Sequence, residues 1–249
     1  MLWYKAWRES RARFVLAATA LTVFCVAFVA KARMDFPLRE SPMVPYAAVV
    51  WSTFYGSSGP VVFSVVALVL SLGGLQRERS GGTVAFTLAL PVSRGQLLAV
   101  RAAVGLLEMA ALTVIPALLV PTLSPLLVGQ SYPATQALAF ALLFISWGVV
   151  WFAVGFLWSI LLAGEYTAGV AALLTPFAYM VLFAQITQGG RRFPATNPFY
   201  VMSGQHMPYF NWQAALLIGP LPWTAMLLLA AIAVALIGAA VRLTARQSF

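Results

Sequence analysis

The chain has 249 residues, of which 62% are hydrophobic and 8% are charged, and its mean hydropathy is +0.90. A soluble core cannot bury so much apolar surface, so the composition excludes a soluble globular protein and indicates that lipid is part of the solvent. The formal net charge is +9. The basic residues stand at the ends of apolar runs, which favours a role in membrane topology over nucleic-acid binding. Cys25 is the only cysteine, which excludes an intrachain disulfide and a cysteine-cluster metal site.

The N-terminal residues 1–13 place Trp3 and Trp7 four residues apart among basic side chains. This pattern predicts an interfacial helix that lies on the inner leaflet. The apolar run that follows, residues 14–31, is long for the hydrophobic region of a signal peptide. It is therefore predicted to remain as the first membrane span.

Five further spans are predicted from stretches of about 20 mostly apolar residues. The second has its core at residues 60–75 and can begin well before Pro60, because residues 41–76 carry no charge. The uncharged run 109–164 is too long for one pass. It is expected to break at its prolines and to turn at residues 129–132. The breaking prolines are Pro121, Pro125 and Pro133, and the remaining spans are predicted at residues 101–120, 136–163, 167–188 and 214–241.

The segment 189–212 is rich in proline, glycine and aromatic residues. It is too apolar for an open loop and too broken for a span, which predicts short re-entrant or interfacial pieces before span six. Lysines and arginines near the span ends number ten on one side and five on the other, so both termini are predicted in the cytoplasm. The expected fold is an all-α integral membrane protein with six transmembrane helices. Residues 1–249 are expected to form a single transmembrane domain in the plasma (inner) membrane.

Little in the sequence indicates catalysis. His206 is the only histidine, and no acidic residue forms a close pair with a second ligand, so we predict no catalytic or metal site and no enzyme. The two lysines, Lys5 and Lys31, do not follow a glycine, which excludes a Gly-Lys-Ser/Thr phosphate-binding loop. Energy for uphill transport must then come from another subunit or from an ion. Glu108, well inside a predicted span, can pair with Arg101 or with a polar group on a neighbouring span.

The predicted cytoplasmic segment between spans two and three has more local structure than a simple loop needs. Thr83 suits the N-cap of a short helix at residues 84–90, which Pro91 ends, and Ser93 can cap the helix that leads into span three. The short helix is apolar but cannot span, so it is expected to lie crosswise below the membrane. It can dock in a groove of a partner, or it can rest on lipid headgroups or on its own bundle.

The same segment carries a family resemblance. Arg-Glu-Arg-Ser-Gly-Gly-Thr followed by Leu-Ala-Leu-Pro-Val-Ser-Arg resembles the first cytoplasmic loop of ABC-2 type permeases, the membrane subunits of a class of ATP-binding-cassette transporters. The residues that match the family pattern are Glu78, Gly82, Thr83, Leu88, Leu90, Pro91, Ser93, Arg94 and Arg101. The resemblance implies that residues 84–90 are a coupling helix seated in a cleft of a separate ATPase subunit.

The resemblance also implies the partners and the contact residues. Two ATPase subunits, which hold ATP and Mg, would drive this bundle and a second permease copy, identical or related, and this chain would need no cofactor of its own. The implied coupling residues are Arg77, Glu78, Gly82, Thr83, Val84, Phe86, Leu90, Pro91 and Arg94, with Glu165 and Tyr166 in a second inner loop. Residues 33–45 are too short for the domain that larger drug-exporting members insert, which indicates a small permease.

A substrate path is indicated by the same family geometry, which implies that spans two and five face it. The residues concerned are Phe63, Ser64, Phe177 and Met180. Trp147, Trp151 and Trp158 share one face of span four, which either lines a cavity for a flat hydrophobic cargo or packs against helices and lipid. The expected function is ATP-driven export of a hydrophobic or amphipathic cargo. The alternatives are a stand-alone ion-coupled carrier or channel and a membrane enzyme that acts on lipid.

Overall fold

The computed structural model describes residues 2–38, 45–72, 93–162, 165–188, 204, 210–211 and 215–246. The first helices are α1 (Leu2–Leu38), α2 (Tyr46–Val50), a π-helical segment (Trp51–Ser58) and α3 (Gly59–Ser71). The later helices are α4 (Arg94–Leu127), α5 (Ala134–Leu161), α6 (Glu165–Gln188) and α7 (Trp223–Arg246). Two short strands, β1 (Phe210–Asn211) and β2 (Leu216–Leu217), pair antiparallel between α6 and α7. The described residues are almost entirely helical, which confirms the all-α class.

Five helical stretches of the described residues are long and apolar enough to cross a membrane, so the chain is a multi-pass membrane protein. They are Leu2–Met34, Tyr46–Ser71, Gly95–Leu127, Ala134–Leu161 and Trp223–Thr244. The predicted fifth span corresponds to α6, which begins at Glu165 rather than at residue 167. Because α6 is not among the five, the count of six spans is not confirmed.

The N-terminal residues differ from the prediction of a separate interfacial helix. α1 is one helix of 37 residues that contains them. At about 1.5 Å per residue it is about 55 Å long, well beyond a hydrocarbon core of about 30 Å. Trp3 and Trp7 are exposed, whereas Ala6 and Ser10 are buried. The buried residues line cavities shared with Arg101 of α4, so packing on α4 keeps this segment in line with the span.

The second span begins before Pro60, as predicted, but it does so through a π-helical segment. Hydroxyl groups in and beside that segment bond to carbonyls of their own helix. Ser52 and Thr53 both donate to the Val49 carbonyl oxygen, and Ser58 donates to the Thr53 carbonyl oxygen at 2.6 Å. Such bonds replace part of the regular helical ladder, which explains how a wider turn is tolerated in an apolar setting.

α4 corrects the expectation that prolines end span three. The helix continues through Pro116, Pro121 and Pro125 and ends at Leu127. Thr122 and Ser124 donate to carbonyl oxygens one turn earlier in the helix, at 2.7 and 2.6 Å. In lipid a broken helix would leave backbone groups without partners, so hydroxyl bonds and continued helix are the cheaper solution. The turn itself lies where it was predicted, since Gly129 has a φ of +75°.

The last span also starts later than predicted. Residues 215–222 are not helical: Ala215 has a φ of +52°, β2 follows, and α7 begins only at Trp223. The side chain of Gln136, in the first turn of α5, makes two hydrogen bonds to the backbone of β2. Its Nε2 donates to the Leu217 carbonyl oxygen, and its Oε1 accepts from the Leu217 backbone amide, both at 2.9 Å. The re-entrant pieces predicted at residues 189–212 lie outside the described residues, except for Gly204 and strand β1.

α5 is the centre of the bundle and packs against α3, α4, α6 and α7. Its span is 67% buried, compared with 17% for α7. Close approach to α3 depends on two glycines one heptad apart. A Cβ on Gly155 would lie 2.0 Å from Ser71 Oγ, and one on Gly148 would lie 2.6 Å from the Phe63 ring. The small residues therefore set the distance between α3 and α5.

Candidate functional site

The predicted coupling segment falls mainly outside the described residues, because residues 77–92 are among those not described. The side chains of Arg94 and Glu165 lie outside the described part as well, although their backbones begin α4 and α6. Tyr166 is 89% exposed. Glu165 and Tyr166 belong to the first turn of α6, which corrects their predicted position in a loop.

The start of α4 confirms the predicted cap at Ser93. Its hydroxyl accepts from the Gln96 amide at 3.1 Å, and the Gln96 side chain accepts from the Ser93 amide at 3.4 Å. This reciprocal capping box satisfies two amide groups that a helix start would otherwise leave open. The last part of the motif, from Arg94 to Arg101, therefore lies in the first turns of a capped helix.

A group of charged and polar side chains joins α1 to about the first four turns of α4. We call Lys5, Glu9, Ser10, Arg13, Arg101 and Glu108 the charged cluster. Arg101 pairs with Glu9 across the two helices, and Lys5 Nζ lies 3.7 Å from the second oxygen of Glu9. The Arg101 side chain is only 13% exposed, whereas Lys5 and Glu9 are about one-third exposed. The ion pair thus lies at the rim of the α1–α4 contact.

Glu108 lies deeper in the same contact and is 3% exposed. Ser10 of α1 donates a hydrogen bond to Glu108 Oε1. Of the two partners that the sequence allowed, a polar group on a neighbouring span is therefore the one found, since Arg101 pairs with Glu9 instead. Glu108 Oε2 has no hydrogen-bond partner among the described residues. A buried carboxyl group in this state is the least satisfied part of the cluster.

Two small cavities of about 10 Å³ each border the charged cluster. One lies between α1, α3, α4 and α5, with Ser10, Ser71 and Arg101 on its polar side and Phe152 and Phe156 on its apolar side. The other is shared by the first turns of α1 and α4. Each offers about the space that one water molecule needs, so neither accommodates a cargo as it stands.

The residues predicted to line a substrate path are not brought together. Phe63 is fully buried against Phe144, with ring centroids 5.5 Å apart. Ser64 is buried and donates to the Pro60 carbonyl oxygen of its own helix at 2.7 Å. Phe177, in contrast, is 69% exposed on α6, and the Met180 side chain lies outside the described residues. In this conformation no shared surface connects Phe63 and Phe177.

The tryptophan face of α5 follows the packing interpretation rather than the cavity interpretation. Trp147 and Trp151 are buried. The Trp158 indole donates to Thr175 Oγ1 of α6 at 2.9 Å, and the Trp151 ring meets the Tyr179 ring at 6.1 Å in an edge-to-face arrangement. These contacts attach α6 to the central helix.

The opposite end of the bundle is held by rings. Phe28 of α1, Phe54 and Tyr55 of the π-helical segment, and Phe140 and Phe144 of α5 form what we call the aromatic cluster. Tyr55 lies nearly parallel to Phe140 at a centroid distance of 4.3 Å, and Phe54 lies 4.9 Å from Phe28. All of these rings are buried. The cluster therefore ties α1, the π-helical segment and α5 together through ring contacts.

Three tyrosine hydroxyls border the aromatic cluster. Tyr46 donates to Ser124 Oγ of α4 at 2.8 Å. Tyr132, in the turn after α4, stacks on Tyr55 with centroids 5.9 Å apart. Burial raises the pKa of Tyr132, and the nearby phenol of Tyr46 raises this pKa further. The Tyr132 phenol therefore remains a neutral hydrogen-bonding group at physiological pH.

Sequence reasoning missed Glu9, Ser10 and the three tyrosines as members of structured sites. Ser10 lies four residues after Ala6, which would have indicated a small, buried face on α1. The run Gly-Ser-Ser-Gly-Pro at residues 56–60 could have indicated an irregular helix near Tyr55. No local pattern identifies the partner of either site.

No model of a known protein family matches this sequence, and no curated protein matches it. The geometry of the two ends, together with the motif at residues 77–101, is therefore the basis for any functional conclusion.

Proposed function

We propose that the chain is the membrane-spanning permease subunit of an ABC transporter and exports a hydrophobic or amphipathic cargo. ATP would be hydrolysed by two copies of a separate ATPase subunit, beneath this bundle and a second permease copy. The resemblance of residues 77–101 to the ABC-2 first cytoplasmic loop motivates the proposal. The observation that carries it is the ion pair between Arg101, the last residue of that motif, and Glu9 of α1.

Through this ion pair, a movement of the motif would be transmitted to α1. α4 begins at Arg94 with a capping box, so a displacement of residues 77–92 would act on a stiff helix rather than on a loop. Glu9 with Arg101 and Ser10 with Glu108 fasten α1 to α4 at about the second and the fourth turn of α4. α1 and α4 would then move as one body when the coupling helix is pushed.

Two further features support the arrangement. Tyr166 is highly exposed and follows α5, whose last turns pack near Ser71 and Arg13 at the end of the charged cluster. It is therefore available for the second contact with an ATPase. The apolar, aromatic interior suits a lipophilic cargo better than a bare ion. In this proposal both termini are cytoplasmic and the membrane is the plasma (inner) membrane.

The decisive experiment measures coupled ATP hydrolysis. The chain is purified from its native host together with any P-loop ATPase that accompanies it, and the pair is reconstituted in liposomes. Glu78→Ala is expected to abolish cargo-stimulated hydrolysis while leaving the thermal unfolding of the permease unchanged. Unchanged stimulation in this variant, or the absence of an ATPase from the purified material, would contradict the proposal.

A charge exchange tests the mechanical route separately. Glu9→Arg alone and Arg101→Glu alone are expected to weaken coupling, and the double exchange is expected to restore most of it because it rebuilds the pair. Arg11→Glu, at an exposed position of α1, is the matched control for a changed charge. If the double exchange is no better than the single variants, the pair does not transmit motion.

The second candidate function is an ion-coupled carrier, which Glu108 favours. Its carboxyl group is 3% exposed, lies inside a span and has one oxygen without a partner among the described residues. Intramembrane carboxyl groups of this kind often carry protons in transporters. This alternative requires transport in liposomes without ATP that Glu108→Gln abolishes. Transport that needs ATP and survives Glu108→Gln would exclude it.

A further inference from the structure

Three tyrosine hydroxyls lie beside the aromatic cluster, where most of the surrounding side chains are apolar. Tyr46, Tyr55 and Tyr132 are 5%, 1% and 4% exposed, and they come from α2, the π-helical segment and the turn before α5. Tyr46 has a partner in Ser124, which in turn donates to the Val120 carbonyl oxygen at 2.6 Å. The hydroxyls of Tyr46 and Ser124 therefore both have hydrogen-bond acceptors, and the last acceptor belongs to the α4 backbone.

The hydroxyls of Tyr55 and Tyr132 differ from that of Tyr46. Neither the Tyr55 nor the Tyr132 hydroxyl has a hydrogen-bond partner among the residues that the structure describes, although both oxygens are shielded from solvent. Buried polar atoms are nearly always bonded in native proteins, either to protein or to a bound molecule. Two such oxygens on stacked rings therefore indicate a shared partner.

The rings hold these hydroxyls in place. Tyr55 stacks on Tyr132 at 5.9 Å with an angle of 21° between the planes, and it also contacts the rings of Phe140 and Phe144. The π-helical geometry of residues 51–58 fixes where the Tyr55 ring enters the core. π-Helical turns are frequent at functional sites because they reposition single side chains.

The chemistry of the surroundings limits what the two hydroxyls can bind. The described neighbours are aromatic rings and neutral hydroxyls, so an ion would be buried there without a counter-charge. A phenol both donates and accepts one or more hydrogen bonds. A neutral oxygen that also donates and accepts is the matching group, and it needs only about 10–15 Å³.

We propose that Tyr55 and Tyr132 form a binding site for one small uncharged hydroxyl-type oxygen. Its two possible sources are a buried water molecule and the terminal hydroxyl of a lipophilic ligand. Tyr46 and Ser124 close the polar side of the site, and the aromatic cluster forms its apolar side. The site does not depend on ATP coupling, so it stands or falls separately from the proposed transport function.

The direction in which Tm changes when each tyrosine hydroxyl is removed tests the site. Tyr55→Phe and Tyr132→Phe remove one hydroxyl each and leave the ring stack intact. If the hydroxyls bind a shared oxygen, each variant is expected to lower Tm in detergent by about 2–4 °C, and the double variant is expected to lower it by less than the sum. Tyr4→Phe, at a side chain that is 69% exposed, is the control. An unchanged or raised Tm in both variants would overturn the proposal, because removal of an unbonded buried hydroxyl costs nothing.

A pair of probes distinguishes the two sources. 1-Octanol and n-octane are added to the detergent at equal mole fraction. A higher Tm with octanol than with octane in the wild type, absent in the double Tyr→Phe variant, assigns the site to a ligand hydroxyl. Equal Tm with both probes, combined with the loss in the Phe variants, assigns it to a buried water molecule. Additive losses with no probe dependence would mean two unrelated hydroxyl contacts and would overturn the shared site.

Discussion

At the end of the bundle where α4 begins, α1 is attached through a few directional contacts: the Glu9–Arg101 ion pair and the Ser10–Glu108 hydrogen bond. At the opposite end α1 is attached through rings, because Phe28 packs against Phe54 of the π-helical segment, and that segment is held on α5 by Tyr55 against Phe140. The first kind of contact includes a partly exposed ion pair, for which salt and a partner's charges compete. The second can be changed only by repacking a dense core. α1 is therefore held mainly by a few directional polar contacts at one end and by ring packing at the other.

The largest effect is expected from a change to the aromatic cluster. Phe140→Ala leaves a void beside Tyr55 and is expected to lower the unfolding free energy by about 2–3 kcal/mol. The value lies below that of soluble proteins because separated helices would remain in lipid, so that mainly packing is lost. Unfolding in denaturant followed by circular dichroism measures it. Phe177→Ala, at a ring that is 69% exposed, should cost far less, and equal costs would contradict the contrast between the two rings.

A smaller effect is expected from the contact between α3 and α5, which lies between the two ends. Gly155→Ala places a methyl group 2.0 Å from Ser71 Oγ, and the overpacking is expected to cost about 1–3 kcal/mol. Adding Ser71→Ala removes that oxygen and should recover much of the loss, because the remaining contacts are 3.1 Å or longer. Thermal unfolding of the single and double variants measures the recovery.

Gly238→Ala is the matched control for that substitution, since no atom lies within 4 Å of its Cβ position. A loss at Gly238 equal to the loss at Gly155 would show that helix spacing is not the cause. Absence of recovery in the double variant would instead place the strain elsewhere along α5.

At the charged end, Ser10→Ala removes the donor to the buried Glu108 carboxyl group. The expected loss is about 1 kcal/mol, typical of a side-chain hydrogen bond between membrane helices. Ser57→Ala is the control, because the exposed Ser57 hydroxyl bonds only to the backbone of its own helix, at 2.8 Å. Equal losses for both variants in the same unfolding assay would mean that the Glu108 contact contributes no stability.

The smallest effect is expected for the partly exposed ion pair. A double-mutant cycle of Glu9→Gln and Arg101→Gln should give a coupling energy of about 0.5 kcal/mol at low salt. The coupling is expected to shrink in about 1 M NaCl, where the Debye length is about 3 Å, whereas the Ser10 contact should not respond to salt. If the coupling energy did not change with salt, the ion pair would be shielded from solvent like the Ser10 contact. The expected difference between the two contacts would then be wrong.

The helices themselves could be predicted closely, whereas several of their ends could not. The start of α4 follows from Ser93 and Gln96, which satisfy each other within one turn, and the turn at Gly129 follows from local backbone preference. The prolines of α4 were misjudged because their effect depends on solvent: a proline that ends a helix in water is tolerated in lipid when neighbouring hydroxyls bond to the backbone. The late start of α7 goes with the pairing of β2 with β1 and with its hydrogen bonds to Gln136 of α5, a residue distant in sequence.

The sequence alone determined that the chain crosses a membrane repeatedly, that it is helical, and that a motif with fixed charges continues into the helix that Ser93 caps. These features are local, because hydropathy over about 20 residues and a capping bond over three residues need no partner. Only the tertiary structure decided that Arg101 pairs with Glu9, that Glu108 bonds to Ser10, and that Tyr55 stacks on both Phe140 and Tyr132. Each of these contacts depends on how one helix is rotated about its axis relative to another. In an apolar solvent that rotation is set by packing between helices, and hydropathy, which is similar on all sides of such helices, cannot encode it.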